Sequence, residues 1–291
     1  MGVLSNSWEI TKSTFNVMKK DKEIFIYPIL SILISIIFII TVVLISLPIG
    51  RVLKEEMQIK PMIFTLIFIL YFGIAFIGTF FSACVVYTAG NRFNGKNVGL
   101  RESIAFASKR IDKVALWAII SATVGIILMT VENFNKRSRG LSKFLVKIIS
   151  STLDMAWSIS TIFVVQGIIY KNLGPLASIK ESLATLKKTW GESLVRIASF
   201  EIVKWIFLLI GGIVLIILMI ISFVINLWFG LIMFTVLINY LVGVFIFFNI
   251  AKQVFNTALY HYANTGKIPR GYNEEQIKRA FKSEKNLMKF E

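Results

Sequence analysis

Apolar residues dominate six long runs of the chain, and polar connections separate these runs. The first two runs contain no charged residue. Since a helix rises about 1.5 Å per residue, about 20 residues cross a hydrocarbon core about 30 Å thick. Backbone amides inside a bilayer must form their hydrogen bonds within the protein, which favours helices. The pattern therefore predicts transmembrane helices over residues 24–47, 62–89, 114–131, 148–170, 197–221 and 231–263.

The sixth predicted helix leaves the membrane near Ala251 and continues to Ala263. Gly266 suits the left-handed position that ends a helix, and Pro269 follows it. In the later spans, Gly211-Gly212 is the only strong candidate for a helix break. We therefore expect the fourth span to be one uninterrupted helix.

Three shorter segments alternate polar and apolar positions at helical spacing, over residues 5–20, 99–111 and 176–190. Residues 100–105 and 179–184 repeat one order of residue types, and a basic pair follows each. Ser178 and Glu181 have the spacing of a capping box, as do Asn6 and Glu9 in the weaker first copy. These segments predict amphipathic helices on the inner membrane surface, each ahead of a two-span hairpin. Chance similarity between amphipathic helices is the alternative.

The fold class is therefore all-α: a polytopic integral membrane protein of six transmembrane helices in three hairpins. Residues 1–266 form a single membrane domain, and residues 267–291 form a basic tail. Of the 32 Lys and Arg residues, 22 lie in the two termini and the two connections on their side, against 8 in the alternate connections. The positive-inside rule then predicts that both termini are cytoplasmic. The basic residues within 136–147 lie on the outer side, where they form a face in contact with headgroups or a site for an external polyanion.

A net charge of +16 in a membrane protein indicates contact with anionic lipid headgroups before nucleic acid. No nucleic-acid motif is present, and we predict no nucleic-acid partner. A membrane-protein partner or a homodimer is the expected protein contact. The candidate lipid-surface residues are the tryptophans and basic pairs of the three amphipathic segments: Trp8, Lys19, Lys20, Lys109, Arg110, Lys187, Lys188 and Trp190.

Three ionisable residues inside the spans are candidates for function, because a charge at the bilayer centre costs at least about 2.5–3.5 kcal/mol. Glu201 and Lys204 are three residues apart on one helix and can neutralise each other. Asp154 has no cation at helical spacing. It either faces the bundle interior, as a transport or ligand group, or lies near the outer headgroups.

Catalytic and metal-binding patterns are absent from the sequence. There is one histidine, His261, and one cysteine, Cys84, and neither has an identifiable partner. The zinc-peptidase, P-loop and serine-hydrolase motifs do not occur. We therefore predict no enzymatic activity, no catalytic residue, no metal site and no cofactor.

Short strings of residues are spread over nearly the whole chain: Ser7-Trp8-Glu9, Asp21-Lys22-Glu23 with Pro28, Ala122-Thr123-Val124-Gly125, Met155-Ala156-Trp157, Gly174-Pro175, Lys188-Thr189-Trp190-Gly191-Glu192, and Phe255-Asn256-Thr257-Ala258-Leu259-Tyr260 with Tyr262 and Gly266. By these strings and their order, the chain resembles an uncharacterised family of prokaryotic six-span membrane proteins, catalogued as domain of unknown function 6159. The resemblance implies a multi-pass protein of a prokaryotic plasma membrane, and it brings no activity, ligand or catalytic residue. Asp154 is not part of the pattern.

Two functions agree with these features. The first is a non-enzymatic membrane-organising or accessory protein that uses its amphipathic helices and basic tail to contact anionic lipid and partner proteins. The alternative is a transporter or channel for a lipid or small solute, favoured by Asp154, Asn239, Asn249 and the repeated hairpins. An intramembrane enzyme would need paired acids, an activated nucleophile or a metal set, and the sequence shows none.

Overall fold

The computed structural model describes residues 3–19, 23–52, 56–137, 141–189 and 199–273. These residues form helices joined by short connections, and they contain no strand. The helices are α1 (Val3–Lys19), α2 (Glu23–Val52), α3 (Glu56–Phe93), α4 (Leu100–Ser108), α5 (Ile111–Arg137), α6 (Leu141–Ser160), α7 (Val164–Lys171), α8 (Pro175–Thr189), α9 (Ser199–Ile225) and α10 (Leu227–Thr265).

Six segments of the described chain are long and apolar enough to cross a membrane. At most 22% of the residues in the most apolar window of any segment are buried. Apolar side chains left open along a whole span suit contact with lipid tails. The prediction of an all-helical chain with six candidate spans is confirmed. The segments are Glu23–Pro48, Pro61–Phe93, Ile111–Asn133, Phe144–Lys171, Val203–Ile225 and Leu227–Thr265.

The fourth segment is not the single helix predicted over residues 148–170, because a turn at residues 161–163 separates α6 from α7. The Thr161 hydroxyl donates a hydrogen bond to the carbonyl of Trp157 at 2.8 Å. The backbone N–H of Phe163 donates to the Ser182 hydroxyl at 3.2 Å. A hydroxyl on α8 thus binds a backbone group at the point where the helix is interrupted.

Gly211-Gly212, the candidate for a break in the later spans, does not interrupt its helix, because α9 runs through both glycines. The ring of Tyr240 occupies the space beside Gly211, and its hydroxyl donates to the carbonyl of Phe207 at 2.7 Å. A glycine here permits close approach of α10 to α9 rather than a kink.

The chain divides into two compact units. The terminal unit comprises Met1–Phe25, Arg92–Lys96 and Leu186–Glu291, and the central unit comprises Ile26–Asn91 and Asn97–Thr185. We describe each unit by itself. The single membrane domain over residues 1–266 and the three-hairpin arrangement stay predictions.

In the central unit, a chain of buried hydroxyl groups joins α2, α3 and α4. Tyr27 and Thr88 share a hydrogen bond of 3.0 Å, and Thr88 and Ser103 share one of 2.7 Å. All three side chains are fully buried. Nearby, the Tyr87 ring stacks on Phe106 with 3.9 Å between ring centroids. Buried polar groups are stable only when they are paired, so these bonds fix the position of α4 on α3.

Helices α7 and α8 form an antiparallel pair in the same unit. Gly167 on α7 lies against Ser178 on α8. One turn before Gly167, the backbone of Phe163 bonds to Ser182, which is one turn after Ser178. The chain reverses at Asn172, which adopts a left-handed conformation with φ 53°. Val164 and Ile168 of α7 form a buried cluster with Trp117 of α5, and Ile179 of α8 packs against it.

The capping box predicted for Ser178 and Glu181 is wrong. Helix α8 begins at Pro175, and the Ser178 N–H already donates to the carbonyl of Gly174 at 2.8 Å. Ser178 is fully buried on the face that packs against α7. Glu181 instead forms an ion pair with Lys171. Proline at the first helical position, where its missing N–H costs nothing, determines the start.

The terminal unit packs α1 against α9 and α10. Phe15 of α1 meets Phe247 of α10 with 4.3 Å between ring centroids. Helices α9 and α10 turn at Asn226, whose side chain accepts a hydrogen bond from the Trp228 N–H at 2.8 Å. Gly266 ends α10 in the left-handed region, with φ 67°, as predicted.

Replacing Ser103 by Ala should lower the free energy of unfolding by about 1–2 kcal/mol, because it removes a buried partner of Thr88. Ser108→Ala is the matched control, since Ser108 is exposed on the same helix, and it should change stability by less than about 0.5 kcal/mol. Thermal unfolding in detergent measures both. Equal effects would show that the hydroxyl chain does not hold α4 in place.

Gly90→Ala should destabilise the central unit by about 1–3 kcal/mol. A Cβ at Gly90 would lie 1.7 Å from the Tyr170 hydroxyl oxygen, which donates to the carbonyl of Val86 at 2.7 Å. Gly78→Ala on the same helix meets no atom within 4 Å, and it should be neutral or stabilising by up to about 1 kcal/mol. The same thermal measurement compares the two. A harmless Gly90→Ala would contradict the close packing of α3 and α7.

Candidate functional site

The predicted pair of Glu201 and Lys204 is present, and a third charge joins it. Lys204 forms an ion pair with one carboxylate oxygen of Glu201. Lys252 of α10 lies 3.4 Å from the other oxygen. The ammonium group of Lys204 also lies 5.6 Å from the centre of the Phe245 ring. We call these three charged residues the ionic cluster; it carries one net positive charge.

Residue spacing within a single helix does not predict that Lys252 joins the ionic cluster. The geometry of the helical hairpin does predict it. Antiparallel helices joined by a tight turn bring residues equally distant from the turn to the same depth. Glu201 precedes Asn226 by 25 residues, and Lys252 follows it by 26. At about 1.5 Å per residue, both lie roughly 37 Å from the turn, beyond a hydrocarbon core of about 30 Å. We therefore expect the ionic cluster to lie at a membrane surface and not at the bilayer centre.

The groups around the ionic cluster do not form a reaction centre. Asn249 and Gln253, one turn apart on α10, hydrogen-bond to each other at 3.0 Å. Among the described residues, no three His, Cys, Asp or Glu side chains are grouped so that they could hold a metal ion. Two ammonium groups that share one carboxylate keep part of their hydrogen-bonding capacity. The chemistry this arrangement offers is therefore attraction of an anionic group.

Asp154 lies in a different environment. Its side chain is exposed on α6, and it makes no ion pair or hydrogen bond with a described residue. It follows Phe144, where the fourth apolar segment begins, by ten residues and precedes the turn at Thr161 by seven. It lies in the second half of α6, with its side chain exposed. Whether it faces a bundle interior or the outer headgroups stays a prediction.

Basic residues lie at the C-terminal ends of α1 and α8 and directly after α4, ahead of the long apolar helices that follow each of them in the chain. Lys19, Lys109 and Lys187 are exposed. Arg110 lies 3.8 Å above the centre of the Phe106 ring, and its burial lowers the pKa of its guanidinium, which stays charged at neutral pH. Trp8 and Lys188 belong to α1 and α8, but their side chains lie outside the described set, as do Lys20 and Trp190.

The faces that these short helices bury combine small hydroxyl or methyl side chains with larger apolar ones, which are Val17 and Met18 of α1 and Leu186 of α8. Leu176 and Leu183 of α8 are exposed, whereas its Ser178, Ser182 and Thr185 are buried. Helix α4 buries Ser103 and Ala107. In α1, Thr11 and Thr14 are fully buried. In the sequence, hydroxyl and methyl-sized side chains at helical spacing indicate these buried faces, because such side chains allow close helix packing with internal hydrogen bonds.

His261 and the residues after α10 form a further contact in the terminal unit. His261 Nε2 lies 3.2 Å from Asn94 Oδ1, and His261 therefore does have a partner. Tyr272, in the predicted basic tail, is buried, and its hydroxyl donates to Thr14 at 2.9 Å. Burial raises the pKa of Tyr272 far above its ordinary value, so the hydroxyl keeps its proton. Cys84 is fully buried in the central unit, 3.8 Å from the carbonyl of Ser103, as a packing residue would be.

Comparison with known families gives one match: the model of a family of unknown function, DUF6159, covers residues 62–270. Comparison with curated proteins gives no match. The matched range includes the ionic cluster, Asp154, α4 and α8.

Glu201→Gln should lower stability by about 1 kcal/mol, because it leaves Lys204 and Lys252 facing each other without a carboxylate. Lys252→Gln is the matched control, since it keeps the closer pair of Glu201 and Lys204, and it should cost less than half as much. Thermal unfolding in detergent with and without about 1 M salt measures both, since salt screens partly exposed charges. A larger loss from Lys252→Gln would contradict this arrangement of charges.

Proposed function

The chain belongs to this family of unknown function, and we propose that it is a non-enzymatic membrane-organising protein that gathers anionic lipid and partner proteins at the cytoplasmic surface of a prokaryotic plasma membrane. The observation that carries the proposal is an arrangement that α1, α4 and α8 share. Each buries small hydroxyl or methyl side chains within the protein and leaves a lysine at its C-terminal end exposed. Lys19 and Lys109 lie four and two residues before the long apolar helices α2 and α5, and Lys187 lies twelve residues before α9.

Positive charge at these positions suits anionic headgroups for a simple reason. A lysine next to a membrane-spanning helix is held near the headgroup level, where an anionic leaflet attracts it by about 1 kcal/mol. Lys19 precedes α2, Lys109 precedes α5, and Lys187 precedes α9. The ionic cluster adds a further net positive charge, which we also assign to the headgroup level. The excess of Lys and Arg on this side of the predicted topology supports its assignment to the cytoplasm.

Partner proteins would meet the apolar residues that these helices leave open. Leu176 and Leu183 lie seven residues apart, on one face of α8, and are 67% and 44% exposed. Their exposure supports a contact with lipid tails at the surface or with an amphipathic segment of another protein. No step of this role requires a chemical reaction. Cys84 and His261, the single thiol and the single imidazole, are engaged in packing or in a side-chain hydrogen bond.

The transporter alternative stays a prediction of the sequence. Asn239 and Asn249, which favour it, are both exposed on α10. The Asn239 amide donates to the carbonyl of Thr235 on its own helix at 2.8 Å, and Asn249 accepts from Gln253. Polar groups that bond within one helix do not indicate a path for a solute. We therefore rank the organising role above transport.

The test compares lipid retention by two triple variants of the full chain. Removing the three exposed basic ends should lower the anionic lipid retained by purified protein roughly tenfold or more, since each lysine contributes about 1 kcal/mol. The protein is exchanged into mixed micelles of equal parts phosphatidylglycerol and phosphatidylcholine, and bound lipid is counted by native mass spectrometry. The variant carries Ala at Lys19, Lys109 and Lys187, and the matched control carries Ala at Lys12, Arg101 and Lys180, which are exposed on the same three helices.

The control removes the same charge about two helical turns away from the basic ends, so it should keep most of the bound phosphatidylglycerol. Cross-linking in the native host should join partner proteins to α8 in the wild-type chain. The proposal is wrong if both triple variants lose lipid equally, or if the wild-type chain retains phosphatidylcholine as readily as phosphatidylglycerol.

A further inference from the structure

Arg110 occupies the junction between α4 and α5, and its backbone is hydrogen-bonded to residues on both sides of the junction. Its N–H donates to the carbonyl of Ala107 at 3.0 Å, and its carbonyl accepts the N–H of Val114 at 3.0 Å. The third apolar segment begins at the next residue, Ile111. The chain therefore has an arginine with a fixed backbone directly ahead of a candidate span.

The Arg110 side chain is held by Phe106, which lies one helical turn earlier. The guanidinium carbon lies 3.8 Å from the centre of the Phe106 ring, and Nη1 donates to the Phe106 carbonyl at 3.4 Å. Tyr87 stacks on the same ring, with 3.9 Å between the ring centroids. Two groups this close to one ring centre lie on opposite faces of the ring. Tyr87, Phe106 and the guanidinium thus form three stacked layers, which restrict the orientation of the cation.

Most hydrogen-bonding groups of this guanidinium are left over. An arginine side chain carries N–H donors on all of its nitrogens, and Nε of Arg110 is buried without a hydrogen-bond partner among the described residues. The acids nearest in the sequence, Glu102 and Asp112, form no ion pair with it in the described part of the chain. Glu102 instead accepts from the Tyr87 hydroxyl at 3.0 Å. An oriented cation with unused donors favours an anionic acceptor from outside the chain.

The planar guanidinium selects the kind of acceptor. It matches phosphate oxygens with two parallel hydrogen bonds, which a lysine ammonium does not. We propose that Arg110 is a binding site for the phosphodiester group of a phospholipid. The inference rests on the proposed function in one respect, which is that the end of α4 lies at the headgroup level.

This role differs from the attraction that the exposed lysines exert. A lysine is a flexible point charge, and it responds to the net charge of a headgroup. Phosphatidylglycerol is anionic and phosphatidylcholine has no net charge, but both carry a phosphodiester. Arg110 therefore holds a lipid of either kind, whereas the lysines favour the anionic one.

Lipid retention in mixed micelles of detergent and phosphatidylcholine alone tests the site, because attraction by net charge is absent there. Native mass spectrometry counts the lipid that the full chain retains. Arg110→Lys keeps the charge and should lower this retention roughly tenfold, through the loss of two parallel charge-assisted hydrogen bonds. Arg101→Lys, the same change at an exposed position of α4, is the matched control and should change retention less than about twofold. Undiminished retention by Arg110→Lys, or equal losses in both variants, overturns the proposal.

The stacked rings provide a second test that changes no charge. Phe106→Leu removes the ring beneath the guanidinium and should lower phosphatidylcholine retention about threefold or more, because the cation is no longer oriented. Tyr87→Phe is its matched control: it keeps a ring on Phe106, loses only the hydroxyl that binds Glu102, and should retain as much lipid as the wild type. Thermal unfolding shows whether each variant is folded. Wild-type retention by folded Phe106→Leu contradicts the proposal.

Two further measurements separate the possible causes of failure. The variant with Ala at Lys19, Lys109 and Lys187 should lose phosphatidylglycerol yet keep the phosphatidylcholine held by Arg110. Unchanged phosphatidylglycerol would count against the proposed function and leave the Arg110 site standing, whereas loss of the phosphatidylcholine would count against the site. An excess of inorganic phosphate should leave the retained lipid in place, and displacement of the lipid would overturn its assignment as the ligand.

Discussion

The structure depends on one constraint, which is that polar groups buried in the protein or in the hydrocarbon core of a bilayer need hydrogen-bond partners. Small hydroxyl side chains satisfy it at the junctions between short and long helices. Ser103 completes the hydrogen bonds of Thr88, and Ser182 accepts from the backbone of Phe163 where the fourth apolar segment turns. Because each hydroxyl both occupies little space and forms a directional bond, the helices can approach closely at a fixed position. These contacts determine where α4 and α8 lie, and thus where their basic ends emerge.

The features that follow from hydrophobicity and local turn chemistry were predictable from the sequence. The six apolar segments follow from length and composition alone, because a bilayer allows few alternatives. The end of α10 at Gly266 follows from the need for a left-handed residue there. Each of these features depends only on residues close together in the sequence. It can therefore be predicted without knowing which other parts of the protein pack against it.

The features that depend on tertiary contacts were not predictable in the same way. Residues 161–170 read as a continuation of the apolar run, yet the helix turns at Phe163 because Ser182, nineteen residues later, binds its N–H. Ser178 has the spacing of a cap and lies instead in a buried helix interface. The Glu201–Lys204 pair could be read from helix spacing, but Lys252 requires the hairpin depth as well. Local pattern gives the elements, and the partner of each polar group depends on packing.

Glu201 and Asp154, the two acids discussed above, differ in whether the described residues supply a partner. Glu201 is held between two lysines on adjacent helices near a membrane surface, so the chain neutralises it by its own fold. Asp154 lies on a helix that packs against α5, and no described residue forms an ion pair with it. The difference follows from position. The α9–α10 hairpin brings Lys252 to Glu201, whereas α6 has no Lys or Arg three or four residues away from Asp154.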